Sequence, residues 1–306
     1  MNQQDTPLPY LDRIRSYYLA LGYKQPYQWA QFEEVPFYVT SKPLSKLCIG
    51  LITTAAQFCS DCGDQGPGAP YNAAAKFYRV YTAPTIDDPK VYISHVGYDR
   101  HNTTAADQRS WFPLQQLKHV EKAGVIGEIS QRFYGLPTNR SQATTMDRDA
   151  PDLLSQCRKD GVEAALLVAN CPVCHQCCCL AARHLEHNGI STVVMGCAKD
   201  IVEHVGVPRF LFSDFPLGNA AGKPGDENSQ RQTLDLALDL LMSANAPRAT
   251  LQSPIKWSSQ ASWKNDFYNI DRLSESDLTA LRKKFDEDKA VARQIRQEDG
   301  TAVNRD

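Results

Sequence analysis

The run CPVCHQCCC, Cys171 to Cys179, holds five of the ten cysteines in this 306-residue chain. Thiols this dense have two kinds of chemistry open to them. The first is redox or nucleophilic. The thiolate is the reactive form, and a helix N-terminus stabilises it through unpaired N–H groups and the positive end of the dipole. Cys171 and Cys174 stand in C-P-V-C form where such a helix begins. One can attack a substrate and the other can then close a disulfide. We expect Cys171 as the nucleophile and Cys174 as the resolving thiol, with the adjacent His175 as a proton donor or a stabiliser of the thiolate. The second kind is metal ligation. Cys171, Cys174 and Cys177 follow C-x-x-C-x-x-C, and with Cys59, Cys62 or Cys197 they can hold Zn²⁺ or an iron–sulfur cluster. The spacing lacks the C-x-x-x-C-P ending of the bacterial ferredoxin run, and one pair opens a helix where a zinc ribbon would have a hairpin knuckle. Cys178 and Cys179 read as small apolar packing residues, as do Cys48, Cys157 and Cys197.

The elements that must position these thiols flank them. VEAALLVAN (Val162 to Asn170) is β-branched and nearly free of charge, which predicts a buried strand. LAARHLEHNG continues as a helix stopped by Gly189, and ISTVVMG (Ile190 to Gly196) is a second buried strand. Strand, turn, helix, strand is a βαβ unit, and ligands of open α/β sheets bind at the strand ends where the cysteines fall. The first half repeats the theme. The strand-like LCIGLITTAA (Leu47 to Ala56) runs into a Gly/Pro/Asp-rich loop carrying Cys59 and Cys62. A polar loop is an odd place for packing cysteines, so that pair is a second-rank site candidate. His95 and Asp99 are others, in the turn after the strand-like VYISHVGYDRHN.

Helices are predicted at Ser16 to Tyr23, Phe112 to Ile129, Pro151 to Asp160, Lys199 to Gly206 and Gln232 to Ala244, and a further strand at Arg209 to Phe215. Phe133 to Pro151 and Pro216 to Gln230 read as loops. The loop GNAAGKPGD lacks the phosphate-loop spacing, with Pro224 where a Mg²⁺-binding hydroxyl would stand. This alternation predicts an α/β fold: mostly parallel sheets with helices on both faces, in two Rossmann-like halves meeting at a cysteine-lined cleft. The expected units are 1–145, with the Cys59/Cys62 loop, then 146–250, with the Cys171 turn, then 251–306, a charged tail of solvated helix and frayed end. A net charge of −2 gives no reason to expect nucleic acid or an anionic membrane. No apolar run approaches the roughly 20 residues that span a bilayer. The N-terminal stretch MNQQDTPLPYLDR has neither a basic nor an apolar leader region, so clustered cysteines point to a reducing, cytoplasmic setting.

Several blocks, in one order, resemble the selenoprotein B family of the glycine, sarcosine, betaine and D-proline reductases. They are YISHVGYDR, FPLQQLKHVEKAGVIGEI, the strand entry before Cys171 with the triplet Cys171, Cys174 and Cys177, HLEHNGISTV, and FSDFPLGNAAGKPGD. Together they cover roughly residues 20 to 245. The resemblance implies reductive cleavage of a bond, typically C–N, at the carbon α to a carboxylate, with dithiols as electron source and a disulfide as product. It also implies a small amino-acid-like substrate, a partner subunit bearing a pyruvoyl carbonyl, and a thioredoxin-like thiol donor. Set on the family's Sec-x-x-Cys-x-x-Cys pattern, Cys171 takes the selenocysteine position, and Cys174 and Cys177 take the two that follow. A thiol there is mostly protonated at neutral pH unless its surroundings lower its pKa. The alternative expectation is a metal-binding, non-catalytic subunit of a complex, using Cys171, Cys174, Cys177, Cys59 and Cys62.

Overall fold

The structure is a computed structural model that describes residues 6–298. In chain order, α1 (Tyr10–Ala20) precedes β1 (Cys48–Thr53), β2 (Ala56–Gln57), β3 (Tyr81–Pro84) and β4 (Val91–Tyr92). Next come α2 (Leu114–Lys122), β5 (Glu128–Ile129), β6 (Arg132–Gly135), α3 (Gln142–Thr144) and α4 (Ala150–Lys159). The central unit is β7 (Ala164–Val168), α5 (Pro172–His187) and β8 (Ser191–Gly196). The chain then forms α6 (Lys199–Val205), β9 (Arg209–Phe212), α7 (Glu227–Ser243), β10 (Ala249–Gln252) and α8 (Glu275–Glu298).

Eight strands form one sheet, ordered β10-β9-β8-β7-β1-β6-β3, with β5 also paired to β1. All pairings are parallel except that of β3 with β6. The central strands β1, β7, β8 and β9 are buried on both sides, as a parallel sheet covered by helices requires. Along β7, Leu166 and Val168 enter the core shared with α2 and α7, whereas Ala165 and Leu167 enter the one shared with α4 and α5. Each buried leucine or valine contributes about 1.5–3 kcal/mol by leaving water. The predicted class, a mostly parallel α/β sheet with helices on both faces, is what the chain forms. The two expected halves, however, contribute strands to a single continuous sheet, because β1 pairs directly with β7 from Ile49↔Ala164 to Thr53↔Val168.

That pairing also locates the crevice. From β7 the chain steps outward through β8, β9 and β10, and from β1 it steps the other way to β6. The direction reverses between β1 and β7, so the loops leaving their carboxyl ends diverge and open a gap there.

Two expectations about polar segments change. Phe133 to Pro151 is not a loop: it supplies most of β6, α3, a π-turn at Thr145–Asp149 and the start of α4. Its polar groups are buried because they satisfy one another, as when Asn139 Nδ2 donates to Asp149 Oδ2 at 2.7 Å. Past residue 250 the chain is not all solvated, since Trp263 and Phe267 are buried and Phe267 packs edge-on against Tyr10. The predicted solvated helix is α8, with Phe285 its buried residue. The predicted frayed end, 299–306, lies outside the described residues. Among the described residues no helix is long and apolar enough to cross a membrane.

Candidate active site

Cys171 is the N-cap of α5, with extended backbone (φ −146°, ψ 169°), and Pro172 follows where a helix tolerates proline best. The Cys171 sulfur sits in the capping position and accepts the Cys174 N–H at 3.2 Å. A sulfur here does the work usually given to a serine or aspartate oxygen. The Cys174 side chain turns back toward it, with Cα atoms 4.9 Å apart and the two sulfurs within bonding distance. The pair is nearly sealed: Cys171 is 5 % exposed and Cys174 fully buried.

His95 joins them from a distant part of the chain. Its ring, Cys171 and Cys174 place their ligand atoms within 4.8 Å of one another. β4 pairs antiparallel with β2 and leads into the segment bearing His95. Gly97 then lets that segment press on the first turn of α5, because a Cβ there would meet Pro172 Cδ at 2.5 Å. Burial, with the charges of Lys76 and Arg100 adding to it, pushes His95 down to about 3, so the ring is neutral. Its Nδ1 is buried without a hydrogen-bond partner among the described residues, and so is Oδ1 of Asn170, the residue before Cys171. The Asn170 backbone N–H and side-chain amide both donate to Thr54 Oγ1, at 3.3 and 3.1 Å, which ties the end of β7 to the end of β1.

The other residues singled out by sequence lie elsewhere. His175 is fully buried, and both its nitrogens are used inside the fold. Nε2 accepts the N–H groups of Cys197 (2.9 Å) and Ala198 (3.1 Å), so the proton sits on Nδ1 and is donated to Cys171 O at 2.7 Å. Burial pushes it down to about 4. It anchors the start of α5 to the loop after β8 and has no nitrogen left for a thiolate. Cys177 lies one turn deeper; its thiol donates to Asn139 O at 3.4 Å, and burial raises it to about 12. Cys178 is raised well above its ordinary value by the same burial. The Asp99 carboxylate accepts the backbone N–H groups of His101 and Asn102, both at 3.1 Å, and so holds a turn. Cys59 and Cys62 form a second close pair, Cα atoms 5.5 Å apart and sulfurs within bonding distance, in a half-exposed loop of their own. Among the described residues, Cys177, Cys59 and Cys62 do not join the ligand group around His95.

One residue was missed. Lys76 is half-buried and its ammonium donates to Thr138 O at 2.8 Å, one carbonyl before the one that accepts the Cys177 thiol. Burial, aided by Arg140, lowers it to about 8, and its charge is felt by both His95 and Cys177. No carboxylate pairs with it among the described residues. The only local hint in sequence is a lone lysine after three alanines. A cavity of about 490 Å³ opens beyond Arg100, lined by Tyr98, Trp111 and the Gln65 to Ala69 strip; no cysteine lines it.

A family model described as glycine/sarcosine/betaine reductase selenoprotein B matches residues 20–170, ending one residue before Cys171. The chain is 25 % identical to the D-proline reductase subunit gamma of Acetoanaerobium sticklandii over 194 residues, which is 62 % of this chain and 76 % of that one. It is 25 % identical to the glycine reductase complex component B subunit gamma of Peptoclostridium acidaminophilum, over 72 % of this chain and 50 % of that one. The sarcosine reductase complex component B subunit beta of the same organism is 24 % identical over 72 % and 51 %. The chain therefore spans about half the length of the glycine and sarcosine reductase relatives. No solved structure gives a significant match.

Proposed function

From a chain akin to the selenoprotein B family of the glycine, sarcosine, betaine and D-proline reductases, we propose a thiol-dependent reductase subunit that cleaves a C–N bond in a small amino-acid-like substrate. The observation that carries this reading is Cys171 at the N-cap of α5, its sulfur on the Cys174 N–H and the Cys174 sulfur within bonding distance. The helix N-terminus favours the Cys171 thiolate, which is the attacking form. The stoichiometry is simple. The C–N bond breaks, carbon and nitrogen each take up one hydrogen, and two thiols that supply both hydrogens and two electrons become the Cys171–Cys174 disulfide. Lys76 is the cation for the substrate carboxylate, a half-buried charge with no anionic partner among the described residues. The unpartnered atoms His95 Nδ1 and Asn170 Oδ1 supply further polar contacts in the same crevice. A partner subunit with a pyruvoyl-type carbonyl would capture the substrate amine, and a thioredoxin-like protein would restore the dithiol.

The test is turnover by the complex purified through a tag on this chain without oxygen, prereduced and offered glycine, sarcosine, betaine or D-proline. Substrate-dependent amine release, or ring opening to 5-aminopentanoate where D-proline is offered, is expected, with a Cys171–Cys174 disulfide appearing in step. Equal release by Cys171→Ser would sink the reading. In the same assay Lys76→Met should raise KM about 10- to 100-fold, the cost of one charge-assisted hydrogen bond. An unchanged KM would remove Lys76 from the site.

The group His95, Cys171 and Cys174 favours a second reading, a Zn²⁺ site in a non-catalytic subunit. One imidazole and two thiolates suit zinc, with a fourth position for water or a partner's ligand. Stoichiometric metal in the native protein, with both thiols unreactive until a chelator is added, would decide for it.

A further inference from the structure

We propose that Cys59 and Cys62 form an electron relay, through which an external protein dithiol reduces the buried Cys171–Cys174 disulfide. The inference rests on the reductase reading, because it assumes that the buried pair is oxidised in each cycle. Thiol–disulfide exchange requires a thiolate to approach a disulfide sulfur, so access governs it. Cys171 is 5 % exposed and Cys174 fully buried, and the sulfurs lie behind Pro172, His95 and the segment held by Gly97. A small substrate can enter such a crevice, but the active-site surface of a donor protein cannot.

The second pair has the access that the first lacks. Cys59 and Cys62 are half-exposed, and the neighbouring Phe58 is 63 % exposed, an apolar side chain beside a dithiol that suits docking of a donor protein. The loop starts from the sheet position next to the buried pair. β1 and β7 end side by side at Thr53 and Val168, with Cys59 and Cys171 a few residues beyond them. The loop returns to the site as well: Arg100 donates to Ala69 O at 2.7 Å and to His95 O at 2.6 Å. Between these anchors it carries Gly63, Gly66 and Gly68, and its Gln65 to Ala69 side lines the 490 Å³ cavity.

The relay balances in two steps. The donor dithiol reduces the Cys59–Cys62 disulfide, giving two thiols here and a disulfide on the donor. The Cys59–Cys62 dithiol then attacks the Cys171 sulfur and closes again, leaving Cys171 and Cys174 as thiols. Each step moves two electrons and two protons.

The test needs no substrate. Oxidised wild type and a Cys59→Ser/Cys62→Ser double variant are reduced either by a thioredoxin with its reductase and NADPH or by a small phosphine. The redox state of Cys171 and Cys174 is followed by differential alkylation and mass spectrometry. Thioredoxin-driven reduction of the buried pair should fall at least 10-fold in the double variant, with the phosphine rate unchanged, which also reports an intact fold. A thioredoxin lacking its resolving cysteine should attack the Cys59–Cys62 disulfide of the oxidised wild type and be trapped as a mixed disulfide on that pair, the other cysteine of the pair leaving as a thiol. Equal thioredoxin rates for wild type and variant, or trapping on Cys171, would overturn the relay and leave the reductase reading standing. Loss of the reductase reading would show instead in turnover by Cys171→Ser.

Discussion

Two close cysteine pairs in the molecule share the C-x-x-C spacing, and they sit in opposite surroundings. Cys171–Cys174 caps a helix, is nearly sealed from solvent and has a neutral histidine beside it. Cys59–Cys62 lies in a half-exposed loop after β2 with no helix to cap, and its shape is held by Gln65, which donates to Cys59 O at 2.7 Å and accepts the Cys59 N–H at 3.0 Å. Spacing alone gives two cysteines the means to form a disulfide. The surroundings decide which partner can reach it. A helix N-terminus in a narrow crevice suits a small substrate, and an open loop suits another protein.

The largest expected effect separates the pairs by function. Cys171→Ser should reduce amine release on the order of a thousandfold or more, as removal of a nucleophile does. Cys59→Ser should slow turnover only when electrons come from a protein dithiol. Equal losses from both substitutions under a small phosphine would erase the distinction.

Acid should separate them next. His95 and His175 are held near 3 and 4, against an ordinary value near 6.5, and both are packed around the buried pair. Their folded values are depressed, so the unfolded chain binds more protons below pH 6.5. The stability they contribute is complete above that pH and is lost as pH falls toward 4, by about 1.4 kcal/mol per unit for each histidine. Urea midpoints measured between pH 7 and 4.5 should fall with this slope, and His175→Asn should remove about half of it. No histidine lies in the Cys59–Cys62 loop, so its reactivity should not follow the same window. A flat midpoint over this range would mean that the two rings are not held neutral.

Much of the buried site was legible. The apolar run of β7, proline at the first position of α5 and Gly189 after it specify strand, cap, helix and stop locally, so the placement of Cys171 and Cys174 follows from short-range signals. The histidine is legible only in part, since His95 is a second-rank candidate in the sequence and His175 ranks ahead of it. His175 is adjacent in sequence, but its ring bonds backward to Cys171 O and outward to the loop after β8, while His95 arrives from a strand end 76 residues earlier. Lys76 comes from an irregular stretch and was hidden for the same reason. The segment from Phe133 to Pro151 misled in another way. Its composition is that of a loop, yet Asn139, Asp149 and Thr145 are buried by pairing among themselves and with α5, a tertiary fact that no local pattern encodes. The single sheet also depended on long-range pairing, that of β1 with β7.

The finest test of the contrast is a methyl group added near each pair. Gly97→Ala sets a Cβ 2.5 Å from Pro172 Cδ, against a proline ring that opens α5 and cannot rotate away. The segment bearing His95 must then back off from the helix, at a cost of about 2 kcal/mol from overpacking. Gly63→Ala meets only an ordinary contact, Asn72 Nδ2 at 3.5 Å, but its φ of +78° is one that a side chain adopts with strain, so about 1 kcal/mol is lost there. Urea denaturation should rank the two in that order. Alkylation of the reduced proteins should report the location: Gly97→Ala should expose Cys171 and leave the labelling of Cys59 as it was, and Gly63→Ala should do the reverse. If Gly97→Ala were neutral in both measurements, the close seat of the His95 segment on α5 would be wrong, and with it the seal that makes the exposed pair necessary.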